Sequence, residues 1–295
     1  MEKINTLPNQ AVYNQALMKG STYKLIWIAF IVVLAAIGCT ENTQKKDIPF
    51  NKGKWVDLTH TFYNGMPHYP NFGFFENTVF FDGLLPDNEY MKVNELHLID
   101  HIGTHLDAPQ HFSKEKFDNS SIPLDNLIGQ AVVIDLREKC KNPNYRITIN
   151  DVKNWEKLHH TTINNMIVLI NTGYHHYYPK KSEKYFGTGE GTKTLTEGEV
   201  SHNEINFPSI SQELGQWLAT ERKIKSLGLD VPSTDTNKNG HPVHIALANA
   251  NIPTFENIAN LDIITGKQNL FVLALPMKIK DGSGGPLRIV AYYEN

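Results

Sequence analysis

The stretch DHIGTHLDAPQH, residues 100–111, contains three histidines and two aspartates within twelve positions. Imidazole and carboxylate groups together suit zinc, manganese or iron, and no thiolate competes for the ion. Gly103 and Pro109 are unfavourable inside a regular helix, so the stretch favours a turn that brings its first two histidines onto one ion. In an extended segment Asp107 would lie on the same side as His105. The stretch therefore predicts a metal site.

The composition limits the classes of protein to which the chain can belong. Its 295 residues are 40% hydrophobic and 20% charged, which excludes a disordered chain and a membrane protein with many spans. The formal net charge of −3 argues against a nucleic-acid partner, because phosphate binding requires a basic face. Cys39 and Cys140 are the two cysteines, too few for a disulfide scaffold or a cysteine-based structural zinc site. We interpret Cys140 as a surface thiol whose pKa nearby lysines could lower.

The N-terminal region resembles a bacterial export signal. Residues 25–37 form an unbroken apolar run behind Lys19 and Lys24, too short to span a membrane but as long as a signal-peptide core. The run leads into Ala-Ile-Gly-Cys39, which resembles a lipobox and predicts an acylated cysteine behind a signal peptide at 1–38. An ordinary cleaved signal and a short N-terminal anchor are the alternatives.

A polar, aperiodic segment at 39–53 predicts a flexible tether with a mean reach of about 20 Å. The folded domain would then comprise residues 54–295. We expect a bacterial cell-envelope protein held by its lipid alone, in the outer membrane or facing the periplasm if the organism is Gram-negative. Met1 and Met18 are both compatible with the start of translation.

Apolar and β-branched runs predict strands, and two amphipathic patterns predict helices. The predicted strands are 55–62, 131–136, 166–170, 271–279 and 287–292. Thr148-x-x-Asp151 resembles a capping box before one helix, and Ser209-x-x-Gln212 resembles another. Residues 177–204 are rich in glycine, lysine and threonine, which predicts a long surface insertion. The pattern indicates a single α/β domain.

The other histidines receive no function from the sequence alone. The pairs at 159–160 and 175–176 stand in polar contexts and are interpreted as surface residues. His60 and His68 are interpreted in the same way, although His68 could line a pocket. His97 alternates with apolar neighbours and is expected to face solvent.

The pattern His101-x-Gly-Thr-His105-x-Asp107-x-Pro-x-His111 resembles the signature of the cyclase family of metal-dependent hydrolases, which includes bacterial kynurenine formamidases and isatin hydrolases. Further segments resemble that family in the same order along the chain. They are 121–125, 129–135, 168–173, 228–235, 241–244, 256–261 and 282–288. The resemblance covers roughly residues 54–295.

The resemblance implies a set of metal ligands. Positions matching His101, His105 and Asp107 bind metal in the family, and in dinuclear members the counterpart of Asp107 bridges two ions. Positions matching His244 and Glu256 complete the second site, although from the residues alone both could be ordinary surface groups. The implied cofactor is zinc or manganese, with one or two ions per chain.

The resemblance also assigns His111 the role of general acid or base and implies a swivelling β/β/α arrangement in homodimers or higher oligomers. The expected activity is hydrolysis of a non-peptide carbon–nitrogen bond in a small molecule, such as an aryl formamide, an amide or a cyclic imide. Tyr69 and Phe72 are candidates for holding a planar, aromatic substrate. Most other aromatic residues near 62–81 are expected in the core.

Two alternatives stay open at this point. A lactonase, or a ring-closing or dehydrating enzyme, would use the same metal site. The alternative outside enzymes is a tethered lipoprotein that binds a metal or ligand without turnover. His111 discriminates between enzyme and binding protein, because binding alone needs no histidine beside the metal that does not ligate it.

Overall fold

The structure, a computed structural model, describes Phe50 and residues 52–70, 72–188, 205–236 and 240–294. The chain divides into two units, Met1–Asn51 and Lys52–Asn295, of which the second is compact. The predicted signal peptide, the predicted lipidation site at Cys39 and most of the tether lie outside the described residues. Within the described ranges, no helix combines the length and apolarity needed to cross a bilayer.

Twelve strands occur in the described part of the second unit. They are β1 (Lys54–Asp57), β2 (Phe75–Leu84), β3 (Tyr90–Leu98), β4 (His105–Asp107), β5 (Ile128–Asp135), β6 (Arg146–Ile147), β7 (Ile167–Asn171), β8 (Ser209–Ile210), β9 (Ser226–Leu229), β10 (Thr254–Glu256), β11 (Leu270–Pro276) and β12 (Gly284–Tyr293). Eight of them form one mixed sheet in the order β1-β12-β11-β5-β7-β9-β10-β4. Because β12 also pairs with β4, the sheet closes on itself like a barrel.

The inner strands of this sheet follow from continuous apolar runs. All five residues of β7 are buried, and β7 pairs in parallel with β5 and β9. Parallel strands that are covered on both faces require such runs rather than alternation. The predicted strands at 131–136, 166–170, 271–279 and 287–292 correspond to β5, β7, β11 and β12, whereas the one at 55–62 ends early, at Asp57.

Seven α-helices accompany the strands in the described residues. They are α1 (Leu124–Leu127), α2 (Arg137–Cys140), α3 (Ile149–His159), α4 (Ser182–Phe186), α5 (Gln212–Trp217), α6 (Pro242–Asn249) and α7 (Leu261–Ile264). The capping box at the start of α3 is confirmed, since the Thr148 backbone and hydroxyl donate to Asp151 Oδ2 at 2.7 and 2.8 Å. The cap predicted at Ser209 is wrong. Ser209 pairs in β8, and Ser211 Oγ accepts instead from the Leu214 N–H.

Strands β2 and β3 form a separate antiparallel hairpin that is largely exposed. Phe72 and Phe74, just before it, are 42% and 52% exposed, and Phe80 within it is 74% exposed. The prediction that most other aromatic residues near 62–81 lie in the core is therefore wrong for Phe74 and Phe80, and also for Tyr63, which is 41% exposed. A hairpin alone buries too little apolar surface to cover both of its faces.

The segment predicted as a surface insertion at 177–204 is part of the core in its first half. Tyr178, Tyr185 and Phe186 are buried in the main hydrophobic cluster, because α4 folds back onto the body of the domain. Residues 189–204 lie outside the described part of the chain. Sequence composition alone did not separate the buried aromatic residues from the Gly- and Thr-rich stretch that follows them.

Two further assignments to the surface are wrong. Cys140 is 1% exposed at the end of α2, where burial raises the pKa of its thiol to about 12. It packs as a small apolar side chain rather than as a reactive surface group. His175 is also buried and lies against the fully buried Asp230, whereas its neighbour His176 is exposed.

Candidate metal centre

Strand β4, which closes the sheet between β10 and β12, carries His105 and Asp107. Both side chains are buried and lie on one side of the strand, with His105 Nε2 at 3.1 Å from Asp107 Oδ1. The register with β10 places His105 opposite Glu256, whose Oε2 is 3.6 Å from His105 Nε2. Barrel closure therefore brings together ligands that are far apart in the sequence.

The turn between His101 and His105 depends on Gly103. Its φ of +60° is in the left-handed region, and a Cβ at this position would lie 2.7 Å from Met66 Cε and 2.8 Å from Phe62 Cζ. Glycine satisfies both constraints. The predicted turn is confirmed, and it leaves the rings of His101 and His105 with their centroids 5.3 Å apart.

Five of the predicted site residues meet here, and we call them the ligand cluster. They are His101, His105, Asp107, His244 and Glu256. In each histidine of the cluster, a fixed partner occupies one ring nitrogen. His105 Nδ1 donates to the Gly103 carbonyl at 2.9 Å, so Nε2 carries the lone pair that faces Asp107.

For His101 the fixed partner is Ser283, in the segment before β12. The Ser283 hydroxyl donates to Asp100 Oδ2 at 2.9 Å, since a carboxylate only accepts, and it therefore accepts from His101 Nε2 at 2.9 Å. The lone pair of His101 is then on Nδ1, 2.6 Å from Asp107 Oδ1. Gly284 permits this approach, because a Cβ there would lie 2.7 Å from His101 Cε1.

His244, in the first turn of α6, is oriented by Asp235. Its Nδ1 donates to Asp235 Oδ2 at 2.7 Å, and its backbone N–H donates to the same oxygen at 3.0 Å. Nε2 then lies 3.3 Å from Asp107 Oδ2 and 3.2 Å from Glu256 Oε1. Histidine nitrogens thus meet both oxygens of Asp107, which is the arrangement that a bridging carboxylate needs.

The carboxylates of the ligand cluster favour positive charge on its buried histidines. Burial opposes protonation of His105, but the hydrogen bond and charge of Asp107, together with the charge of Glu256, raise its pKa to about 9. Burial also opposes protonation of His244, yet its hydrogen bonds to carboxylates, first to Asp107, raise its pKa well above the usual value. Burial tends to raise the pKa of Asp107, but the charge of His101 and hydrogen bonds hold it well below its usual value.

His111 stands beside the cluster, in the 3-10 turn Pro109–His111 that follows β4. Its ring centroid is 4.0 Å from that of His101, and one of its nitrogens lies within 4.8 Å of ligand atoms of His101 and Asp107. Burial lowers the pKa of His111 to about 4, so its imidazole is neutral at pH 7. The structure therefore brings the predicted acid–base residue to the predicted metal site.

A solvent-open cavity of about 760 Å³, a volume that includes part of the open solvent at its mouth, lies over the cluster. Its aromatic lining consists of Tyr69, Phe72, Phe112, Tyr178 and Phe186. The two predicted substrate-binding residues, Tyr69 and Phe72, thus lie at the cavity, with ring centroids 5.5 Å apart. Among its described lining residues there is no lysine or arginine. His68, which the sequence placed at a pocket as one option, is also in the lining.

The donor set fits a divalent metal ion. His101 Nδ1 and Asp107 Oδ1 are both electron-pair donors at 2.6 Å, so a proton or a metal cation must lie between them. Two sets of three ligand atoms each lie within 4.8 Å: one from His101, Asp107 and His111, the other from His105, Asp107 and Glu256. Mixed imidazole and carboxylate donors suit zinc or manganese. The ion and the number bound stay predictions.

The model of the family described as “Putative cyclase” matches residues 56–236, more than half of the chain. The chain belongs to this Cyclase family. A kynurenine formamidase of Erythrobacter litoralis (strain HTCC2594) is 26% identical over 240 residues, which cover 79% of this chain and 91% of the relative. An isatin hydrolase of Roseibium aggregatum is 27% identical over 215 residues, which cover 70% of this chain and 76% of the relative.

The solved structures agree with this assignment. Isatin hydrolase A from Labrenzia aggregata, bound to benzyl benzoate, matches with a TM-score of 0.69 and 25% identity, covering 82% of this chain and 94% of that one. The family resemblance inferred from residues 101–111 is confirmed, and so is the α/β fold.

Sequence reasoning missed the residues that orient the ligands of this Cyclase-family site. Asp235 and Ser283 lie in segments that resemble the family, but neither was assigned a role. The available signals were local: a carboxylate shortly before a histidine-bearing helix, and a serine between glycines. Neither signal tells which ring nitrogen the side chain will meet, because that depends on contacts between distant parts of the chain.

Proposed function

We propose that this chain is a metal-dependent hydrolase that cleaves a non-peptide carbon–nitrogen bond in an aryl formamide, an amide or a cyclic imide. The observation that carries the proposal is the ligand cluster, four of whose five side chains are buried. It faces an aromatic-walled cavity, and the described lining residues include no lysine or arginine to neutralise its carboxylates. The kynurenine formamidase and isatin hydrolase relatives support the choice of bond.

The ligand cluster would hold one or two ions, zinc or manganese. His101, His105 and Asp107 would form one site, and His244 with Glu256 would complete a second that shares Asp107. A divalent cation there supplies a Lewis acid that polarises a carbonyl and makes nearby water more acidic. The chain contributes largely buried ligands, ring nitrogens oriented by fixed partners, and an aromatic-lined cavity beside them.

In this proposal His111 moves the proton. Because its imidazole is neutral at pH 7, it can accept a proton from the attacking water. It then gives that proton to the departing nitrogen, which would otherwise leave as a strongly basic amide anion. A positioned group of this kind contributes about 10²–10⁴-fold to the rate.

The aromatic lining supports a small, planar substrate. Tyr69 contacts Phe72 and Phe186 edge to face, with ring centroids 5.5 and 6.1 Å apart. Offset and edge-to-face contacts of this kind stabilise an added aromatic ring. We therefore propose that Tyr69 and Phe72 hold the ring of the substrate while its scissile bond faces the ligand cluster.

The test combines metal counting with hydrolysis of two probes, an N-formyl arylamine and isatin. The chain, purified without chelators or a histidine tag, should contain at least one divalent ion and hydrolyse at least one probe. His111→Ala should keep the metal and lose about 10²–10⁴-fold in kcat. His160→Asn, at an exposed C-cap in the left-handed conformation that asparagine tolerates, is the matched control and should keep full activity.

The results separate the parts of the proposal. A metal-loaded chain that hydrolyses neither probe would overturn the assigned bond class. Unchanged turnover in His111→Ala would overturn the role of His111. A chain that takes up no zinc or manganese would overturn the ligand cluster as a metal site, and with it hydrolysis by this route.

We also propose that the chain is exported and anchored to the cell envelope through lipidated Cys39. The support is the basic, apolar and Ala-Ile-Gly-Cys39 pattern of the N-terminal region. Labelling of bacteria with radioactive palmitate should mark the wild-type chain and leave Cys39→Ala unlabelled. Equal label in both would overturn the proposal.

A further inference from the structure

A second group of potential ligands lies where β7 ends, in the 3-10 turn Tyr174–His176. His175, His176 and Asp262 each offer one ligand atom, and these atoms all lie within 4.8 Å of one another. His175 is buried, Asp262 at the start of α7 is partly buried, and His176 is exposed. The group shares no residue with the ligand cluster.

Hydrogen bonds to one oxygen of the Asp262 carboxylate leave its other oxygen facing both imidazoles. Its Oδ1 accepts from Asn171 Nδ2 at 2.9 Å and from Arg137 Nη1 at 3.0 Å. Its Oδ2 lies 2.5 Å from His176 Nε2 and 3.5 Å from His175 Nε2. Three potential donor atoms therefore converge from two separate elements, and the carboxylate that joins them is anchored on its far side.

Asp230 determines which nitrogen of His175 faces this group. The Asp230 side chain is fully buried, and its Oδ2 lies 2.8 Å from His175 Nδ1 and accepts from the Gly173 N–H at 2.9 Å. Because the carboxylate accepts, His175 Nδ1 carries the hydrogen and Nε2 is left to face Asp262. A carboxylate behind a histidine is the usual arrangement for a metal-ligating imidazole.

We propose that His175 Nε2, His176 Nε2 and Asp262 Oδ2 form a second, separate site for a divalent transition-metal ion. Two imidazoles and one carboxylate match zinc, copper(II), nickel or cobalt, whereas magnesium and calcium prefer all-oxygen donors. The exposed His176 leaves the site open to solvent, so the ion can enter the folded chain. Water would complete its coordination.

The position of this site links it to the wall of the cavity. Two residues beyond His176, Tyr178 lines the cavity and contacts His60, with the two rings tilted and their centroids 4.3 Å apart. An ion at the site would tie the turn after β7 to α7, and so would stiffen the segment from which Tyr178 projects. Its role would be structural, since none of its ligands lines the cavity.

The test counts zinc bound to the full-length chain in detergent, without a histidine tag and after removal of metal by a chelator. The wild type should bind one ion per chain more than His176→Ala does. His176→Ala removes an exposed ring, so the fold should be retained and should give an unchanged circular dichroism spectrum. Asp262→Asn, which keeps the shape of the side chain, should weaken the same binding step at least tenfold.

His160→Asn is the control, because His159 and His160 are also adjacent histidines and His160, like His176, is exposed, yet neither belongs to a group of three potential ligands in the described residues. It should bind as much zinc as the wild type. Equal zinc counts and affinities for the wild type and His176→Ala would overturn the site. The comparison is a difference between variants, so it stands whether or not the ligand cluster takes up metal or supports hydrolysis.

Discussion

At the scale of single residues, the candidate metal centre depends on the hydrogen-bond acceptors behind its histidines. Gly103, Ser283 and Asp235 each occupy one nitrogen of a histidine, and so decide which nitrogen is free. Their effect is orientation: without them each imidazole could present either nitrogen or rotate away. Metal affinity in such sites falls about 10- to 100-fold when an orienting partner is removed.

The first prediction concerns Ser283. Ser283→Ala removes the acceptor of His101 Nε2 and frees the ring, so the dissociation constant for zinc at the ligand cluster should rise about 10- to 100-fold. Ser283→Thr, which keeps the hydroxyl, should restore most of the affinity. Competition with a coloured chelator measures both variants in a His176→Ala background. An unchanged constant in Ser283→Ala would show that the serine does not orient His101.

The second prediction concerns Cys140. Since its pKa is about 12 against the usual 9, the thiolate fraction at pH 8 should be about a thousandfold smaller than that of a free cysteine. Burial also blocks access, so alkylation of Cys140 should be at least 100-fold slower in the native chain than in urea. Peptide mass spectrometry distinguishes it from Cys39. Rapid native labelling of Cys140 would contradict the buried position.

At the scale of elements, the sequence predicted what depends on local pattern. Strands β5 and β7 follow from apolar runs, and the start of α3 follows from its capping box. Strand β4 could not be predicted as a strand, because two of its three residues are polar and it forms only by pairing with β10 and β12. The same non-local register places Glu256 opposite His105. The sequence supplied Glu256, like His244, through family resemblance and not through geometry.

Where the sequence offered two candidate helix caps, tertiary contacts determined which residue caps the helix. Ser209 and Ser211 both precede α5. Ser209 pairs with β6 as part of β8, so Ser211 is the residue that caps the helix. Composition likewise could not predict that His175 is buried, because this depends on Asp230 at the end of another strand.

The third prediction is at this scale and concerns Asp151 in α3. Burial tends to raise its pKa, but hydrogen bonds from Lys139 and Thr148 dominate and lower it. A lowered folded-state pKa stabilises the fold above the unfolded pKa, and this contribution disappears as the pH falls through the folded value. Asp151→Asn should therefore lower the free energy of unfolding by about 0.5–2 kcal/mol at pH 7.

Urea unfolding at several pH values measures this difference, which should shrink as the pH falls below the ordinary aspartate pKa of about 3.9. Asp125→Asn, at an exposed position in α1, is the control and should leave stability nearly unchanged. A difference between wild type and Asp151→Asn that does not vary with pH would contradict the charge-assisted cap.

At the scale of the whole molecule, the hairpin β2–β3 stands out because a single chain leaves its apolar side chains exposed. Val79, Phe80 and Leu84 are 59%, 74% and 64% exposed. Exposed apolar groups that lie together mark association surfaces more often than isolated ones do. The expectation of a homodimer or higher oligomer stays a prediction, and this hairpin is where we expect the contact.

The fourth prediction is that Phe80→Asp lowers the molar mass in solution, because a carboxylate buried in the contact would be costly. Light scattering coupled to size-exclusion chromatography measures the mass. Leu158→Asp is matched to it, since Leu158 is 75% exposed on α3 and lies outside the hairpin, and it should leave the mass unchanged. A monomeric wild type, or equal masses for the wild type and Phe80→Asp, would contradict this assignment.

The closure of the barrel by β4 would also constrain when the protein acquires the proposed metal. A ribosome makes His105 and Asp107 long before their partners in β10 and β12. A growing chain therefore contains His105 and Asp107 before the strand pairing that fixes their positions has formed. A fragment that stops before residue 284 lacks β12, the strand that pairs with β4 and closes the sheet. Loading with the proposed metal would thus belong to the finished polypeptide, after translation, wherever in the cell that chain comes to fold.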